Sequence, residues 1–184
     1  MAGVFGVDHP TFWALYERNR GLYDQGELTP EYYWSRFAQD AGTRIDDRQI
    51  ESLRAWDIEI WSSLDESLIQ WGDALRSAGY KTSILSNLNT EFTAHVRKTF
   101  RWLERFDCLV FSSEVGLVKP DLEIYRHCLR ALQGEAEETL FIDDREANVQ
   151  AARQLGITAL QYRSTAQLSK ELQARGFDIL PVII

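Results

Sequence analysis

Two adjacent carboxylates, Asp143 and Asp144, follow a short apolar run at residues 139–142 and precede a helix-like pattern. A strand that ends in this way places both carboxylates at the carboxyl edge of a parallel sheet, where open α/β sheets bind their ligands. Adjacent carboxylates repel each other unless a cation or a shared proton intervenes. Because Mg²⁺ prefers oxygen ligands, the pair predicts a magnesium site. A surface turn with an acidic helix N-terminus is the alternative that this segment leaves open.

Two further segments place polar side chains where predicted strands end. Ser86 and Asn87 follow the apolar residues 84–85, and their side chains and backbone N–H groups could hold an oxyanion. Lys119 precedes Pro120, which favours an extended conformation and keeps the lysine out of the following helix. Because right-handed crossovers bring strand ends to one side of a sheet, these residues and the aspartate pair are expected to converge. Taken singly, Ser86 could lie in an ordinary turn and Lys119 could be a solvated surface lysine.

The chain changes character near residue 65. Before it, the apolar spacing predicts helices and almost no strand. After it, helices and strands alternate, which is typical of a parallel sheet with crossover helices. The predicted helices cover residues 11–20, 29–41, 46–56 or a little beyond, 66–77, 91–103, 122–132 and 148–155. The predicted strands cover residues 80–85, 107–112, 139–142, 157–162 and, at a sheet edge, 178–184.

Composition limits the classes of protein and partner. A chain of 184 residues with 45% hydrophobic and 26% charged residues is typical of a globular protein with a real core. The formal net charge of −8 disfavours nucleic acid as a partner, because phosphate contacts need clustered Lys and Arg. The sequence shows no leader-like segment and no 18-residue apolar run, and its two cysteines fit a reducing compartment. We therefore expect a cytoplasmic protein without a membrane partner.

Three segments resemble motifs two, three and four of the haloacid dehalogenase superfamily. They are residues 84–87 (ILSN), residues 116–121 (GLVKPD) and residues 141–144 (FIDD). The resemblance is strongest to the small phosphatases, which include the amino-terminal phosphatase domain of soluble epoxide hydrolase. It implies an α/β fold with a Rossmann-like parallel core over residues 65–184 and a helical cap over residues 1–64. It also implies transfer of a phosphoryl group to an aspartate and then to water, with Mg²⁺ bound.

The resemblance assigns a role to each of the five polar residues. Ser86, helped by Asn87, would hydrogen-bond the phosphoryl group of a small phosphorylated substrate. Lys119 would neutralise that group and the aspartyl nucleophile. Asp144 would be the direct Mg²⁺ ligand, and Asp143 would bond to a metal-bound water or to Lys119. Haloacid dehalogenases proper use no metal and usually lack this acidic pair, so the resemblance favours phosphate release over halide release.

The superfamily's first motif, Asp-x-Asp at the end of the first core strand, is not found in this sequence. Asp8 follows a short apolar run, but Pro10 stands where the second aspartate would be. In this fold the first strand lies between the strands that end at Ser86 and Asp143, so its absence leaves two strands without a hydrogen-bonding neighbour. Either the open edges close on each other or another segment fills the slot, which residues 3–7 could do only partly.

The simplest hypothesis is that the chain starts late, that the complete gene product carries the missing strand, and that the chain as it stands is inactive. An in-frame stop codon just upstream, with no Asp-x-Asp before it, would contradict this hypothesis.

Two functional hypotheses stay open. The first is a Mg²⁺-dependent phosphatase whose helical region sets substrate choice. The second is a non-catalytic protein on the same scaffold that binds an anion or a partner without turnover. A phosphoacceptor receiver domain is disfavoured, because receivers place their acidic pair before the lysine in the chain. Glycine-rich nucleotide-binding motifs and Gly-x-Ser-x-Gly are absent from the sequence.

Overall fold

A computed structural model describes residues 1–181 of the chain. In chain order, the α-helices are α1 (Ala2–Phe5), α2 (His9–Arg18), α3 (Arg20–Asp24), α4 (Pro30–Asp40), α5 (Asp47–Ile60), α6 (Glu66–Ser77), α7 (Thr90–Thr99), α8 (Ser112–Val115), α9 (Leu122–Leu132), α10 (Glu146–Gln154) and α11 (Thr165–Ala174). The strands are β1 (Ser83–Ser86), β2 (Cys108–Phe111), β3 (Leu140–Asp143) and β4 (Thr158–Gln161), and short 3-10 helices cover Arg101–Arg105 and Ala136–Glu138.

The chain divides into two compact units. The first, called the helical unit, contains Met1–Ser63, Asn87–Thr99 and Ser112–Val118. The second, called the sheet unit, contains Leu64–Ser86, Phe100–Phe111 and Lys119–Ile184. The functional division into a cap over residues 1–64 and a core over residues 65–184 stays a prediction.

Local capping explains where the helices of the helical unit begin. Thr29 caps α4 by accepting a hydrogen bond from the Tyr32 amide at 3.2 Å, and Pro30 occupies the first helical position, where its missing N–H costs nothing. Asp46 and Gln49 form a reciprocal capping box at the start of α5, with bonds of 2.8 and 2.9 Å. These side chains satisfy backbone groups that the helix itself leaves unpaired.

The core of the helical unit is aromatic. Tyr33, Trp34 and Phe37 on α4 are fully buried, and Phe12 on α2 packs against Phe37 with ring centroids 5.2 Å apart. Phe5 on α1 lies in the same cluster, 4.3 Å from the Phe37 ring. The buried aromatic residues of this region therefore form the core of the helical unit.

A buried polar cluster centred on Asp57 links helices of the same unit. Arg20 donates to Asp24 at 2.8 Å and to Asp57 at 2.9 Å, and Tyr16 donates its hydroxyl to Asp57. Asn89, directly before α7, donates to the other oxygen of Asp57 at 3.1 Å. The Asp57 side chain is only 3% exposed, so each of its oxygens is desolvated and paired within the protein.

Four parallel strands, arranged as two pairs, organise the sheet unit. β1 pairs with β2 and β3 pairs with β4, both in parallel register. Helix α9 packs on the first pair and α10 packs on the second. The α/β class with parallel strands, predicted from the alternating pattern, is confirmed.

No ladder joins β1 to β3 in the part of the chain that the structure describes. The apolar residues of β1 and β3, such as Ile84 and Phe141, are half-buried, whereas Val110 in β2 and Leu160 in β4 are buried. Inner strands of a complete parallel sheet are normally the more buried ones. The open edges therefore do not close on each other, and residues 3–7 do not pair with them, because Phe5 is in a helix whose core lies in the helical unit.

Several element bounds differ from the sequence prediction. Helices α6 and α9 match their predicted ranges, but residues 91–103 divide into α7 and a separate 3-10 helix. Helix α11 was not predicted, since only Leu168 and Leu172 mark its buried face. The strand predicted over residues 178–184 is wrong for residues 178–181, which form no strand, and residues 182–184 lie outside the described range. Within the described residues, no helix is long and apolar enough to cross a bilayer.

Candidate functional site

A buried lysine joins the carboxyl ends of β1 and β3. The Lys119 ammonium donates to the Leu85 carbonyl of β1 at 2.8 Å and to Asp143 Oδ2 of β3 at 2.6 Å. Lys119 lies just before Asp121, which caps α9, so the packing of α9 on β1 sets the position of the lysine. The side chains of the ion pair are 9% and 5% exposed, which makes this a desolvated, charge-assisted contact.

Every oxygen of the Asp143 carboxylate is engaged by the protein. Oδ2 accepts from Lys119, while Oδ1 accepts from the Arg145 amide at 2.9 Å and from Asn148 Nδ2 at 2.8 Å. The backbone of Asn148 is held in turn, because the Tyr125 hydroxyl donates to its carbonyl at 2.9 Å. Asp143 is therefore a fixed acceptor that orients Lys119 and the following turn.

An aromatic pair lies beside this contact. The Lys119 ammonium lies 5.7 Å from the centroid of the Phe141 ring, within the range of a cation–π contact. Tyr125 meets the Phe141 ring edge-on, with centroids 5.3 Å apart. Burial raises the pKa of Tyr125 well above its ordinary value, and the charge of Asp143 adds to the effect. The phenol therefore stays protonated and keeps its donor role toward Asn148.

Asp144 differs from its neighbour in being exposed. Its carboxylate has no hydrogen-bond or ion-pair partner within residues 1–181, while its backbone carbonyl accepts from Gln161 Nε2 at 2.9 Å. Among the described residues, no group of three or more His, Cys, Asp or Glu side chains could hold a metal. Mg²⁺ is commonly held by one or two carboxylates together with waters and substrate phosphate oxygens, so a single available carboxylate beside a fixed one fits that ion.

Four of the five residues singled out in the sequence lie in the sheet unit. Ser86 is the last residue of β1, directly after the carbonyl that Lys119 binds. Lys119 and Asp143 are in contact, and Asp144 follows at the end of β3. Asn87 begins a segment of the helical unit. The ligand roles assigned to these five residues stay predictions.

Asp8, the one aspartate after an apolar run near the start of the chain, has a structural role. Its carboxylate is exposed and accepts from the Thr11 amide at 2.9 Å, which caps α2. Hydrogen bonding to Thr11 lowers the pKa of this carboxyl, as expected for an N-cap aspartate.

The sequence did not predict two contacts of this site, namely the bond from Gln161 to the Asp144 carbonyl and the bond from Lys119 to the Leu85 carbonyl. Gln161 ends β4 and lies opposite Asp143 in the strand register. The predicted strand over residues 157–162 placed Gln161 inside the strand, whereas the observed strand ends at Gln161, so the sequence contained no strand-end signal there. The backbone contact of Leu85 leaves no trace in the sequence, because any residue supplies a carbonyl.

Comparisons with known proteins add independent information. A family model described as a haloacid dehalogenase-like hydrolase matches residues 5–156. Bifunctional epoxide hydrolase 2 of Rattus norvegicus is 30% identical over 116 residues, which cover 60% of this chain and 21% of the rat protein. A sesquiterpene phosphatase of Aspergillus oryzae is 30% identical over 99 residues, which cover 54% of this chain and 50% of that protein. The matches thus span a fifth to a half of these relatives.

A solved structure resembles the fold as a whole. A HAD family enzyme of Bacteroides thetaiotaomicron, in complex with magnesium and inorganic phosphate, matches with a TM-score of 0.64 at 22% sequence identity. The match covers 85% of this chain and 87% of that one. At this identity the likeness shows a shared fold.

Proposed function

Because this chain belongs to the haloacid dehalogenase-like hydrolase family, we propose that it is built to act as a Mg²⁺-dependent phosphatase of small phosphorylated molecules. The carrying observation is the Lys119 ammonium, which bridges the carboxyl ends of β1 and β3 beside the available carboxylate of Asp144. With a net charge of −8, the chain repels anions at long range, so a phosphoryl group must be held by such a local cation.

Each polar residue then has a defined task. Ser86, with the help of Asn87, donates hydrogen bonds to phosphoryl oxygens at the end of β1. Lys119, fixed by Asp143, supplies positive charge to the phosphoryl group. Asp144 would hold Mg²⁺, while Asp143 fixes Lys119. A bound Mg²⁺ would further neutralise the charge of the phosphoryl oxygens.

Non-catalytic binding of a phosphate-like anion or a partner is the second candidate function. It is favoured by one observation: the sequence contains no Asp-x-Asp pair to receive the phosphoryl group as an aspartyl-phosphate intermediate. We accordingly expect the 184 residues as they stand to bind Mg²⁺ and phosphate more readily than they turn over a phosphate ester.

The cysteines support a cytoplasmic location for this protein. Cys108 and Cys128 are both free thiols, and free thiols are typical of a reducing compartment.

Two measurements on the full chain separate the candidates. Calorimetric titration with MgCl₂ should detect binding that Asp144→Asn abolishes, whereas Asp178→Asn, the same change at an exposed aspartate, should leave it intact. Hydrolysis of p-nitrophenyl phosphate that stops with chelator and with Asp144→Asn supports the phosphatase. Metal binding through Asp144 without any hydrolysis supports the binding protein. Binding of MgCl₂ that is absent, or equal in Asp144→Asn, contradicts the Mg²⁺-dependent phosphatase and leaves only a protein that binds an anion or a partner without metal.

A further inference from the structure

We propose that Gln161 is a positioning residue for Asp144, acting through a clamp on the peptide bond between Asp144 and Arg145. This inference rests on the proposed role of Asp144 as the Mg²⁺ ligand and extends it to a residue that touches neither the metal nor the substrate. The site described above contains Gln161 only as a neighbour of the Asp144 backbone, and no motif in the sequence assigns it a function.

The peptide group after Asp144 is held at both of its polar atoms. Its carbonyl, on Asp144, accepts from Gln161 Nε2 at 2.9 Å, and its N–H, on Arg145, donates to Asp143 Oδ1 at 2.9 Å. Because a peptide group is planar and its C=O and N–H point in opposite directions, the two bonds hold the plane from opposite sides. The clamp therefore restrains ψ of Asp144, and with it the direction in which the side chain leaves the backbone.

The orientation of the Gln161 amide is itself determined. Its Oε1 accepts from Arg163 Nε at 3.3 Å and from Arg163 Nη2 at 3.0 Å. A guanidinium has donors and no acceptor, so the amide oxygen must face Arg163 and the amide nitrogen must face the Asp144 carbonyl. The Gln161 backbone carbonyl is also bonded, by Gln167 Nε2 at 2.9 Å. Arg163 thus acts as a second support behind Gln161.

The clamp matters because the Asp144 side chain has no other support. Its carboxylate is exposed and has no partner within the described residues, so no side chain orients it directly. A carboxylate that bound metal from an unrestrained backbone would lose conformational freedom on binding. Groups that orient metal ligands without touching the metal typically contribute 10–100-fold in affinity. Gln161 holds the carbonyl of this peptide group, and it is therefore in a position to contribute in this way.

The test compares two identical substitutions in the full chain. Gln161→Met keeps the length of the side chain and removes both amide contacts, and Gln173→Met makes the same change at an exposed glutamine in α11. We expect calorimetric titration with MgCl₂ to show affinity about tenfold weaker in Gln161→Met and unchanged in Gln173→Met. Unfolding in chelator should be similar for both, since a merely structural role would change stability and leave metal affinity unaltered.

Three outcomes decide the matter. MgCl₂ affinity in Gln161→Met within twofold of wild type overturns the clamp while Asp144 remains the ligand. Loss of binding in Asp144→Asn together with weakened binding in Gln161→Met supports it. A wild-type chain that does not bind MgCl₂, or binds it equally with Asp144→Asn, overturns the proposed function and this inference together. Should Gln161→Met not fold, Arg163→Met provides a second variant. It replaces an exposed residue and removes the hydrogen bonds that orient the Gln161 amide, and the same criteria for MgCl₂ affinity apply.

Discussion

At the scale of single residues, the ion pair of Lys119 and Asp143 has the largest consequence. Both side chains are almost fully removed from water, so each depends on the other for its charge to be tolerated. Asp143 also accepts hydrogen bonds from the Arg145 amide and from Asn148 Nδ2, and the Lys119 ammonium also donates to the Leu85 carbonyl. The pair consequently fixes the end of β1 against the end of β3 as well as providing charge at the site.

Replacing the lysine with an apolar residue of similar length should destabilise the sheet unit. In Lys119→Met, the buried Asp143 carboxylate keeps its neutral donors but loses its counterion, and we expect a loss of about 3 kcal/mol in the free energy of unfolding. Lys170→Met, at an exposed lysine on α11, should change it by less than about 0.5 kcal/mol. Urea denaturation at neutral pH measures both, and equal stability of the two variants would contradict the assignment of a coupled buried pair.

At the scale of elements, the helical unit depends on a charged junction as well as on aromatic packing. Asp57 of α5 accepts from Arg20 of α3, from Tyr16 of α2 and from Asn89 at the start of α7. Arg20 also lies over the Tyr16 ring, with its guanidinium carbon 4.7 Å from the ring centroid. A single carboxylate thereby connects elements that are distant in the chain.

Removing the charge of Asp57 should weaken this junction. Asp57→Asn leaves Arg20 buried with one carboxylate partner instead of two and places an amide donor opposite other donors, so we expect a loss of about 3 kcal/mol. Glu59→Gln provides the control, because it also replaces a carboxylate with an amide but at an exposed position of α5, two residues after Asp57. Tryptophan fluorescence during urea unfolding reports mainly on the helical unit, which contains four of the six tryptophans, among them the fully buried Trp34. Unchanged unfolding of Asp57→Asn would show that aromatic packing alone holds these helices.

At the scale of the whole molecule, four of the seven tyrosines have pKa values raised above the ordinary phenol value. Burial is the largest cause for each of them, namely Tyr16, Tyr23, Tyr33 and Tyr125. In the unfolded chain these phenols ionise near their ordinary pKa of about 10. Their contribution to stability is therefore complete below about pH 10 and is lost as the pH rises toward the folded-state values.

An alkaline titration should reveal this difference. The free energy of unfolding is expected to decrease above about pH 10, because the unfolded chain releases phenolic protons that the folded chain retains. Tyrosinate absorbance of the native chain should rise by less than that of the chain in guanidinium chloride over the same pH range. Superimposable titration curves of native and denatured protein would contradict the burial of these four phenols.

The sequence by itself determined the α/β class, most helix and strand positions and the family. Hydrophobic periodicity and capping residues act over a few positions, so α6, α9 and the capped start of α4 are visible without coordinates. Polar residues at strand ends likewise predicted that Ser86, Lys119 and the aspartate pair lie at one sheet edge, and the structure shows Lys119 in contact with Asp143.

Only the tertiary structure decided which of these groups meet and what surrounds them. The Lys119 contacts, the Asp57 junction and the Gln161 clamp join residues from separate elements, and hydrogen bonds of this kind depend on positions to within a few tenths of an ångström. The same holds for the open interval between β1 and β3, since strand pairing is set by the placement of whole elements. Local sequence preferences act within a few residues and do not specify distances between residues of separate elements. These contacts could therefore be identified only in the folded chain.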